Sequence, residues 1–185
     1  MAIIKFSPEG FPSGFFMPKI YFWLQSLKFS FKFSVMVKLS RSDSSNSDFQ
    51  ALVRLLDAYL AKIDGEETLF YSQYNKIDSL KHVVVFYENN IPKACGAIKE
   101  IDPQRMEVKR MYTAEDSRGK GFGSTVLSDL EKWAAEMGYE ACVLETGKRQ
   151  PDAIALYEKS GYQLIPNYGQ YIGVENSVCF EKKLS

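Results

Sequence analysis

Hydrophobic and polar residues follow regular patterns from about residue 36 onward. Between residues 48 and 63, apolar side chains recur every three or four positions, which is typical of an amphipathic helix. Three short apolar runs follow, with turn-forming Asn-Asn and Asp-Pro pairs between them, and they predict an antiparallel meander. These runs are residues 82–87, 92–100 and 105–112. An irregular loop at residues 64–79 separates the helix from the meander.

The second half of the chain alternates strand and helix patterns. Apolar spacing predicts helices at residues 121–137 and 151–160, each followed by a helix-ending glycine. Short apolar runs predict strands at residues 141–145, 162–165 and 177–183. Alternating strands and helices are typical of parallel pairing. With a short first strand at residues 36–39, the pattern predicts one mixed α/β (α+β) domain in residues 36–185.

Residues 1–35 differ from the rest of the chain. They hold ten aromatic side chains and carry a net charge of +3. A signal-peptide pattern is interrupted by Lys19, which breaks any apolar core. We interpret the segment as an aromatic, basic extension outside the domain. The extension is either disordered or not native; if it is not native, translation begins at Met36. An aromatic, basic segment that lies on a membrane surface is the alternative.

Composition narrows the function classes. The chain has 23 Lys and Arg residues and 23 Asp and Glu residues. It therefore lacks the excess of positive charge that would indicate a nucleic-acid partner. Three scattered cysteines favour a reducing compartment, and we expect a cytoplasmic protein. A single histidine and the lack of a Cys-x-x-Cys pair argue against a metal site. No charge-free apolar run reaches about 18 residues, so we expect no membrane span.

A glycine-rich stretch offers the clearest chemistry. Residues 118–123 read Arg-Gly-Lys-Gly-Phe-Gly, between a predicted strand and a predicted helix. Glycine lets the backbone approach a ligand closely. The N–H groups at a helix start are unpaired and carry the positive end of the helix dipole. The stretch therefore predicts a site for a phosphate-bearing ligand, with Arg118 and Lys120 adding positive charge.

The stretch also resembles the marker of the GNAT superfamily of acetyl-CoA-dependent N-acetyltransferases, Arg/Gln-x-x-Gly-x-Gly/Ala. A second segment, residues 153–162, resembles that superfamily's Ala-x-x-Leu-Tyr-x-x-x-Gly-Phe segment. The element order is similar across residues 36–184. The resemblance implies a three-layer fold whose central mixed sheet is splayed and flanked by helices. Coenzyme A would lie in the gap between the strand of Met111 and the strand of Val143.

The resemblance implies acetyl-CoA as co-substrate. Its pantetheine arm would run along the third meander strand, and its pyrophosphate would lie on the glycine-rich loop. Gln150 stands where many members of the superfamily have an asparagine that contacts the pantetheine. The implied cofactor-binding residues are Met111, Tyr112, Thr113, Arg118, Gly119, Lys120, Gly121, Phe122, Gly123, Ser124 and Gln150.

Two residues are candidates for the proton transfers of acetyl transfer. Tyr157 matches the superfamily's tyrosine that protonates the leaving thiolate; the alternative is a core tyrosine. Glu107 lies eleven residues before Arg118, where histone-type members carry their base. A salt bridge with Lys109 or Lys99 is the alternative for Glu107.

Other groups could complete this chemistry. The Met111 N–H is a candidate oxyanion donor to the thioester carbonyl. Glu145, at the end of the next predicted strand, is a weaker candidate base.

The acceptor is expected to be a small, amino-acid-like primary amine. Arg110 is suited to bidentate contact with a carboxylate; the alternative, which explains a charge in a strand more simply, is an open sheet face. The long loops carry the remaining predicted substrate-binding residues, Tyr71, Tyr74, Tyr168 and Tyr171; loop packing is the alternative. Sequence leaves open whether the protein is a monomer or a homodimer.

The sequence leaves alternatives to an acetyltransferase open. A coenzyme A-binding regulatory or interaction module without turnover would keep the loop but would not need Tyr157 and Glu107. Acetylation of a protein amine is a further alternative. A dinucleotide-binding fingerprint needs Gly-x-Gly-x-x-Gly after a parallel strand, and a nucleotide P-loop needs Gly-Lys-Ser/Thr. Neither pattern is present.

Overall fold

The computed structural model of the protein describes residues 35–65, 71 and 73–184. The predicted extension therefore lies outside the described residues, apart from Val35, as do residues 66–70 and 72 of the predicted 64–79 loop. The strands are β1 (Val37–Ser42), β2 (His82–Glu88), β3 (Ile91–Asp102), β4 (Arg105–Thr113), β5 (Ala141–Gly147), β6 (Gln163–Ile165) and β7 (Ser177–Lys183). The helices are α1 (Ser47–Asp64), α2 (Phe122–Glu136) and α3 (Pro151–Lys159).

These strands form one sheet in the order β1-β2-β3-β4-β5-β7-β6. β2, β3 and β4 make the predicted antiparallel meander. Asn89 and Asn90, between β2 and β3, have φ of 51° and 62°, the left-handed values that a tight hairpin turn requires. β4 and β5 pair in parallel. The mixed sheet confirms the predicted fold class.

The predicted parallel pairing of the second half needs one correction. β5 and β6 are not neighbours in the sheet, because β7 lies between them and is antiparallel to both. A parallel neighbour requires a crossover connection, usually a helix, whereas an antiparallel strand can return through a loop. β6 and β7 are joined by residues 166–176, which contain only a 3-10 turn at Gly169–Tyr171. The chain therefore returns antiparallel.

Helices cover both faces of the sheet and make the three layers. Leu52 of α1 packs with Val83 and its neighbours on one face. Leu127 of α2 and Tyr157 of α3 pack with Val84 and its neighbours on the other. Burying each large apolar side chain contributes roughly 1.5–3 kcal/mol. No helix among the described residues is long and apolar enough to cross a membrane.

The sheet is splayed between β4 and β5. Their ladder joins Arg105 to Ala141 and continues only to Glu107 and Val143, as far as the described residues show. Beyond that point β4 runs on to Thr113 without β5 beside it. This gap lies where the resemblance implied a ligand, between the strands of Met111 and Val143.

A bulge in β4 lies within the gap. β3 and β4 pair Ala97 with Lys109 and then Cys95 with Tyr112, so two β4 residues stand opposite Gly96. A Cβ on Gly96 would come within 2.3 Å of the Met111 sulfur and 2.8 Å of a Leu130 methyl group. A side chain at this position would therefore push against Met111 and Leu130, and glycine avoids that crowding beside the bulge.

Candidate active site

A cleft of about 580 Å³ opens where β4 and β5 separate. It is lined by α1, the end of β4, the glycine-rich loop, the end of β5 and α3. Tyr71 and Tyr171 line it from the two loops that the sequence singled out. A cavity of this size in the crevice of a sheet is a natural place for a small-molecule ligand.

The glycine-rich loop meets the cleft in a conformation that glycine permits. Gly119 and Gly121 have φ of 75° and 82°, a region that costs other residues roughly 1–2 kcal/mol. α2 begins directly after Gly121, which has no side chain to cap the first N–H groups. These donors, and the positive end of the helix dipole, can therefore serve an anionic ligand.

Ten of the eleven predicted cofactor-binding residues line this one cleft. Lys120 is the exception. Its Nζ lies 3.9 Å from Glu88 Oε2 and 5.7 Å from the centre of the Phe122 ring. Arg118 stacks its guanidinium on Tyr59 of α1, 5.0 Å from the ring centre. Arg118, and not Lys120, therefore brings positive charge to the cleft wall.

Tyr157 lies on α3, is 6% exposed and lines the cleft. Burial raises the pKa of its phenol, and the nearby Glu145 carboxylate raises it further. The phenol therefore stays protonated at neutral pH, which is the form that can donate a proton. Its ring packs edge-on against Tyr162 and at a tilt against Phe180, which limits its motion.

Glu107 lines the same cleft, is 4% exposed and has three donors around it. The Lys109 ammonium lies 3.0 Å from its Oε2. The Tyr168 and Tyr171 hydroxyls donate to its Oε1 across 3.1 and 3.4 Å. The salt bridge with Lys109 that the sequence left open is therefore present, and the role of base stays a prediction.

The two loop tyrosines act as one unit with this carboxylate. The rings of Tyr168 and Tyr171 meet edge-on at 5.6 Å, and Tyr74 meets Tyr171 edge-on at 6.3 Å. Burial, and then the Glu107 charge, raise the pKa of the Tyr168 and Tyr171 phenols, so both remain donors. Tyr71, Tyr74 and Tyr171 line the cleft directly, and Tyr168 contacts it through Glu107.

Arg110 occupies the β4 bulge with φ of 57°, unusual for a residue with a large side chain. Its side chain is 2% exposed and forms an ion pair with Asp57 of α1. Its Nε is buried and has no hydrogen-bond partner among the described residues. Leaving a buried donor unpaired costs roughly 1–3 kcal/mol. An acceptor atom of a ligand in the cleft could satisfy it.

A second carboxylate, Glu145, lines the cleft from β5. Ser177 at the start of β7 donates to its Oε1 across 2.5 Å. The Tyr71 hydroxyl lies 3.2 Å from the Ser177 oxygen. Ser177 was not among the predicted site residues. The pairing of Gly147 with Ser177 across β5 and β7 places it beside Glu145, and no local sequence pattern predicts that pairing.

The cysteines offer no nucleophile to this site. All three are buried free thiols. Burial raises the pKa of Cys95 and Cys142 to about 12 and that of Cys179 to about 11. The thiolate is the nucleophilic form, so none of them is poised to carry an acyl group near neutral pH. Among the described residues, no three His, Cys, Asp or Glu side chains cluster as metal ligands.

The chain is similar to known acetyltransferases. A model of the acetyltransferase (GNAT) family matches residues 49–162. The IAA acetyltransferase of Azospirillum brasilense is 37% identical over 151 residues, which cover 80% of this chain and 98% of that protein. The uncharacterised N-acetyltransferase YsnE of Bacillus subtilis is 33% identical over 127 residues, covering 68% of this chain and 76% of the relative.

Solved structures share the fold. A Klebsiella pneumoniae protein of the acyl-CoA N-acyltransferase type superposes with a TM-score of 0.68 and 28% sequence identity. The match covers 81% of this chain and 99% of that protein. Shared length and shared architecture therefore agree with the sequence resemblance.

Proposed function

The chain belongs to the acetyltransferase (GNAT) family, and from this premise we propose that it moves an acetyl group from acetyl-CoA to the primary amine of a small acceptor. Family membership makes the protein an acyltransferase; the donor, the acceptor and the mechanism are parts of the proposal. The observation that carries it is a single cleft lined by an uncapped helix start, a protonated phenol and two carboxylates. The buried free thiols fit the cytoplasmic location expected from the sequence.

Acetyl-CoA binds with its pyrophosphate on the first N–H groups of α2. Gly119 and Gly121 allow close approach of the backbone, and Arg118 adds charge from the cleft wall. The pantetheine arm lies along Met111, Tyr112 and Thr113, in the part of β4 that β5 leaves uncovered. Gln150, at the start of α3, lines the other side of the same gap.

The reaction is direct attack of the amine within a ternary complex. No thiolate is available to form an acyl-enzyme, so the two substrates must meet in the cleft. The Met111 N–H, at the β4 bulge, supports the negative charge that develops on the thioester oxygen. Tyr157 donates its proton to the coenzyme A thiolate as the carbon–sulfur bond breaks.

The acceptor carries a carboxylate beside its amine. The Nε of Arg110 is buried and has no hydrogen-bond partner in the part of the chain that the structure describes. This motivates the proposal, because a carboxylate oxygen would satisfy it. The amine then lies among Tyr71, Tyr74 and Tyr171, beside Glu107 and Glu145. Glu107 as the base is tested separately below.

Arg110→Ala tests the acceptor class. The Michaelis constant should rise roughly 10-fold or more for amines that bear a carboxylate, since a charged hydrogen bond is worth ~1.5–3 kcal/mol. Plain amines should be affected little. An equal loss on both kinds of acceptor would remove the carboxylate from the proposal.

A panel of amines with acetyl-CoA, followed by thiol release, tests the activity itself. Tyr157→Phe is the matched inactive control. Coenzyme A should raise the melting temperature of both proteins, because a ligand at 100 times its dissociation constant adds about 2.7 kcal/mol to stability. Coenzyme A binding without turnover on any small amine would favour a non-catalytic module or a protein acceptor.

A further inference from the structure

A chain of hydroxyl groups joins the cleft wall to the Glu145 carboxylate. Ser177 lies 2.5 Å from Glu145 Oε1, and the Tyr71 hydroxyl lies 3.2 Å from the Ser177 oxygen. The Asn176 side-chain amide donates to the Tyr71 oxygen across 3.4 Å. Tyr71 and Ser177 are 8% and 3% exposed, so bulk water is largely kept from the chain.

The direction of this chain follows from counting hydrogens. An ionised carboxylate only accepts, and a serine hydroxyl has one hydrogen to donate. Ser177 gives that hydrogen to Glu145, so it can only accept from Tyr71. Both hydroxyl hydrogens therefore point the same way, from the cleft wall toward the carboxylate.

We propose that Tyr71, Ser177 and Glu145 form a proton relay that deprotonates the acceptor's ammonium group. The ammonium gives a proton to the Tyr71 oxygen, Tyr71 passes its own proton to Ser177, and Ser177 passes its own to Glu145. One N–H and two O–H bonds break while three O–H bonds form, and no electrons are gained or lost. The products are a neutral amine, ready to attack the thioester, and a protonated Glu145 that returns its proton to solvent.

Three described side chains with titratable groups lie close to Glu145. They are Tyr157 from α3, Tyr171 from the loop after β6 and Cys179 from β7, and the charge of Glu145 raises the pKa of each. Burial raises the pKa of all three, so each is neutral near neutral pH. None of these three groups therefore brings a positive charge to the Glu145 carboxylate.

Glu107 is placed differently. Its carboxylate is paired with the Lys109 ammonium at 3.0 Å and accepts from two phenols. Both of its oxygens are therefore already held by donors from the β4 strand and the tyrosine loop. In the relay, Glu145 instead accepts from the neutral Ser177 hydroxyl. The two carboxylates therefore divide the work, Glu107 anchoring the tyrosine loop and Glu145 receiving the proton.

Ser177→Ala interrupts the relay without changing the charge of the site. Ser177→Thr keeps the hydroxyl, and Tyr71→Phe removes the first hydroxyl while keeping the ring. Ser42→Ala is the matched control, because Ser42 on β1 also has a buried hydroxyl and lies outside the cleft lining. The turnover number of each variant is measured from pH 7 to about pH 10 with saturating substrates, and folding is checked by the coenzyme A-dependent melting shift.

Ser177→Ala and Tyr71→Phe should lower the turnover number roughly 100-fold at neutral pH, the lower end of the range for proton-transfer catalysis. The deficit should shrink toward about pH 10, because an alkylamine with a pKa of about 10.4 then loses its proton to solvent without help. Ser177→Thr and Ser42→Ala should retain most of the activity.

A loss that is equal at every pH would mean a structural effect and would overturn the relay. So would a pH-dependent loss in Glu107→Gln with none in Glu145→Gln. The relay rests on the proposed function, and the wild-type protein separates the two. Turnover by the wild type together with full neutral-pH activity of Ser177→Ala would sink the relay alone, whereas no wild-type turnover would sink both.

Discussion

Replacing Glu107 by glutamine leaves Lys109 as a buried ammonium that has lost its counter-charge. The two side chains are 6% and 9% exposed, and their charged atoms are 3.0 Å apart. Among the described contacts, the Lys109 ammonium would keep the Tyr171 hydroxyl, 3.5 Å away, and would have a neutral amide in place of the carboxylate. The substitution keeps the size of the side chain, so it tests charge and not packing.

The geometry sets the size of the effect. At an effective dielectric constant of about 20, two unit charges 3.0 Å apart attract by roughly 5.5 kcal/mol. Desolvation opposes part of this, and removing one partner of a buried pair costs about 3–5 kcal/mol. We expect Glu107→Gln to lose about 3 kcal/mol. The double variant with Lys109→Met should lose about 1 kcal/mol, because no buried charge is left unpaired.

Urea unfolding of the two single variants and the double variant measures this coupling. With a slope of about 2 kcal/mol per molar urea, a loss of 3 kcal/mol lowers the midpoint by about 1.5 M. Glu131→Gln is the matched control, since its Lys182 ion pair lies outside the cleft lining. A Glu107→Gln midpoint within ~0.2 M of wild type would refute the reasoning from the buried ion pair.

The same variants decide what Glu107 does in the reaction. If Glu107 only holds the tyrosine loop in place, removing both charges should restore most of the stability. The double variant should then be more active than Glu107→Gln. If it is the base, the double variant should stay as slow as Glu107→Gln although its stability returns. Thiol release under saturating substrates separates the two outcomes.

Three further predictions follow from the described contacts. Tyr157→Phe should lower the turnover number ~10²–10⁴-fold with an unchanged urea midpoint, as expected for loss of an acid; a smaller effect would remove it from proton transfer. Gly96→Ala should cost about 1–3 kcal/mol, because its methyl group would meet the Met111 sulfur, and an unchanged melting temperature would contradict this. Burial, aided by Lys81, lowers the pKa of His82, so protonation favours the unfolded chain and stability is lost as the pH falls below about 6.5. His82→Gln should therefore lose less stability than wild type between about pH 7.5 and pH 5.5.

Local physics explains what could be predicted from the sequence. Apolar spacing and turn residues act over a few positions, so the meander and the helices were predicted close to their described bounds. The last strand was predicted at residues 177–183, where β7 lies. Tyr157 and the glycine-rich loop belong to contiguous motifs, so their meeting in one cleft could be expected from the resemblance.

The remaining features depend on distant partners. The bulge lies where the register between β3 and β4 shifts at Gly96. The arginine side chain of residue 110 does not itself favour a positive φ. The place of β7 depends on how the chain returns after β6. The approach of Ser177 to Glu145 follows from that placement. Local patterns do not encode such pairings, so the hydroxyl chain could not be predicted.

The position of β7 in the sheet also constrains the order in which the strands can pair during folding. β5 and β6 leave the ribosome before the strand that joins them, so β6 must wait for its partner. The meander and α2 have their partners earlier, and domains fold progressively as the chain emerges. Long-range pairing is the slow part of such folding. A nascent chain that has not yet reached Ser177–Lys183 would therefore hold the glycine-rich loop before the contacts of Ser177 with Glu145 and Tyr71 exist, and the proposed relay would arise only when this strand is added.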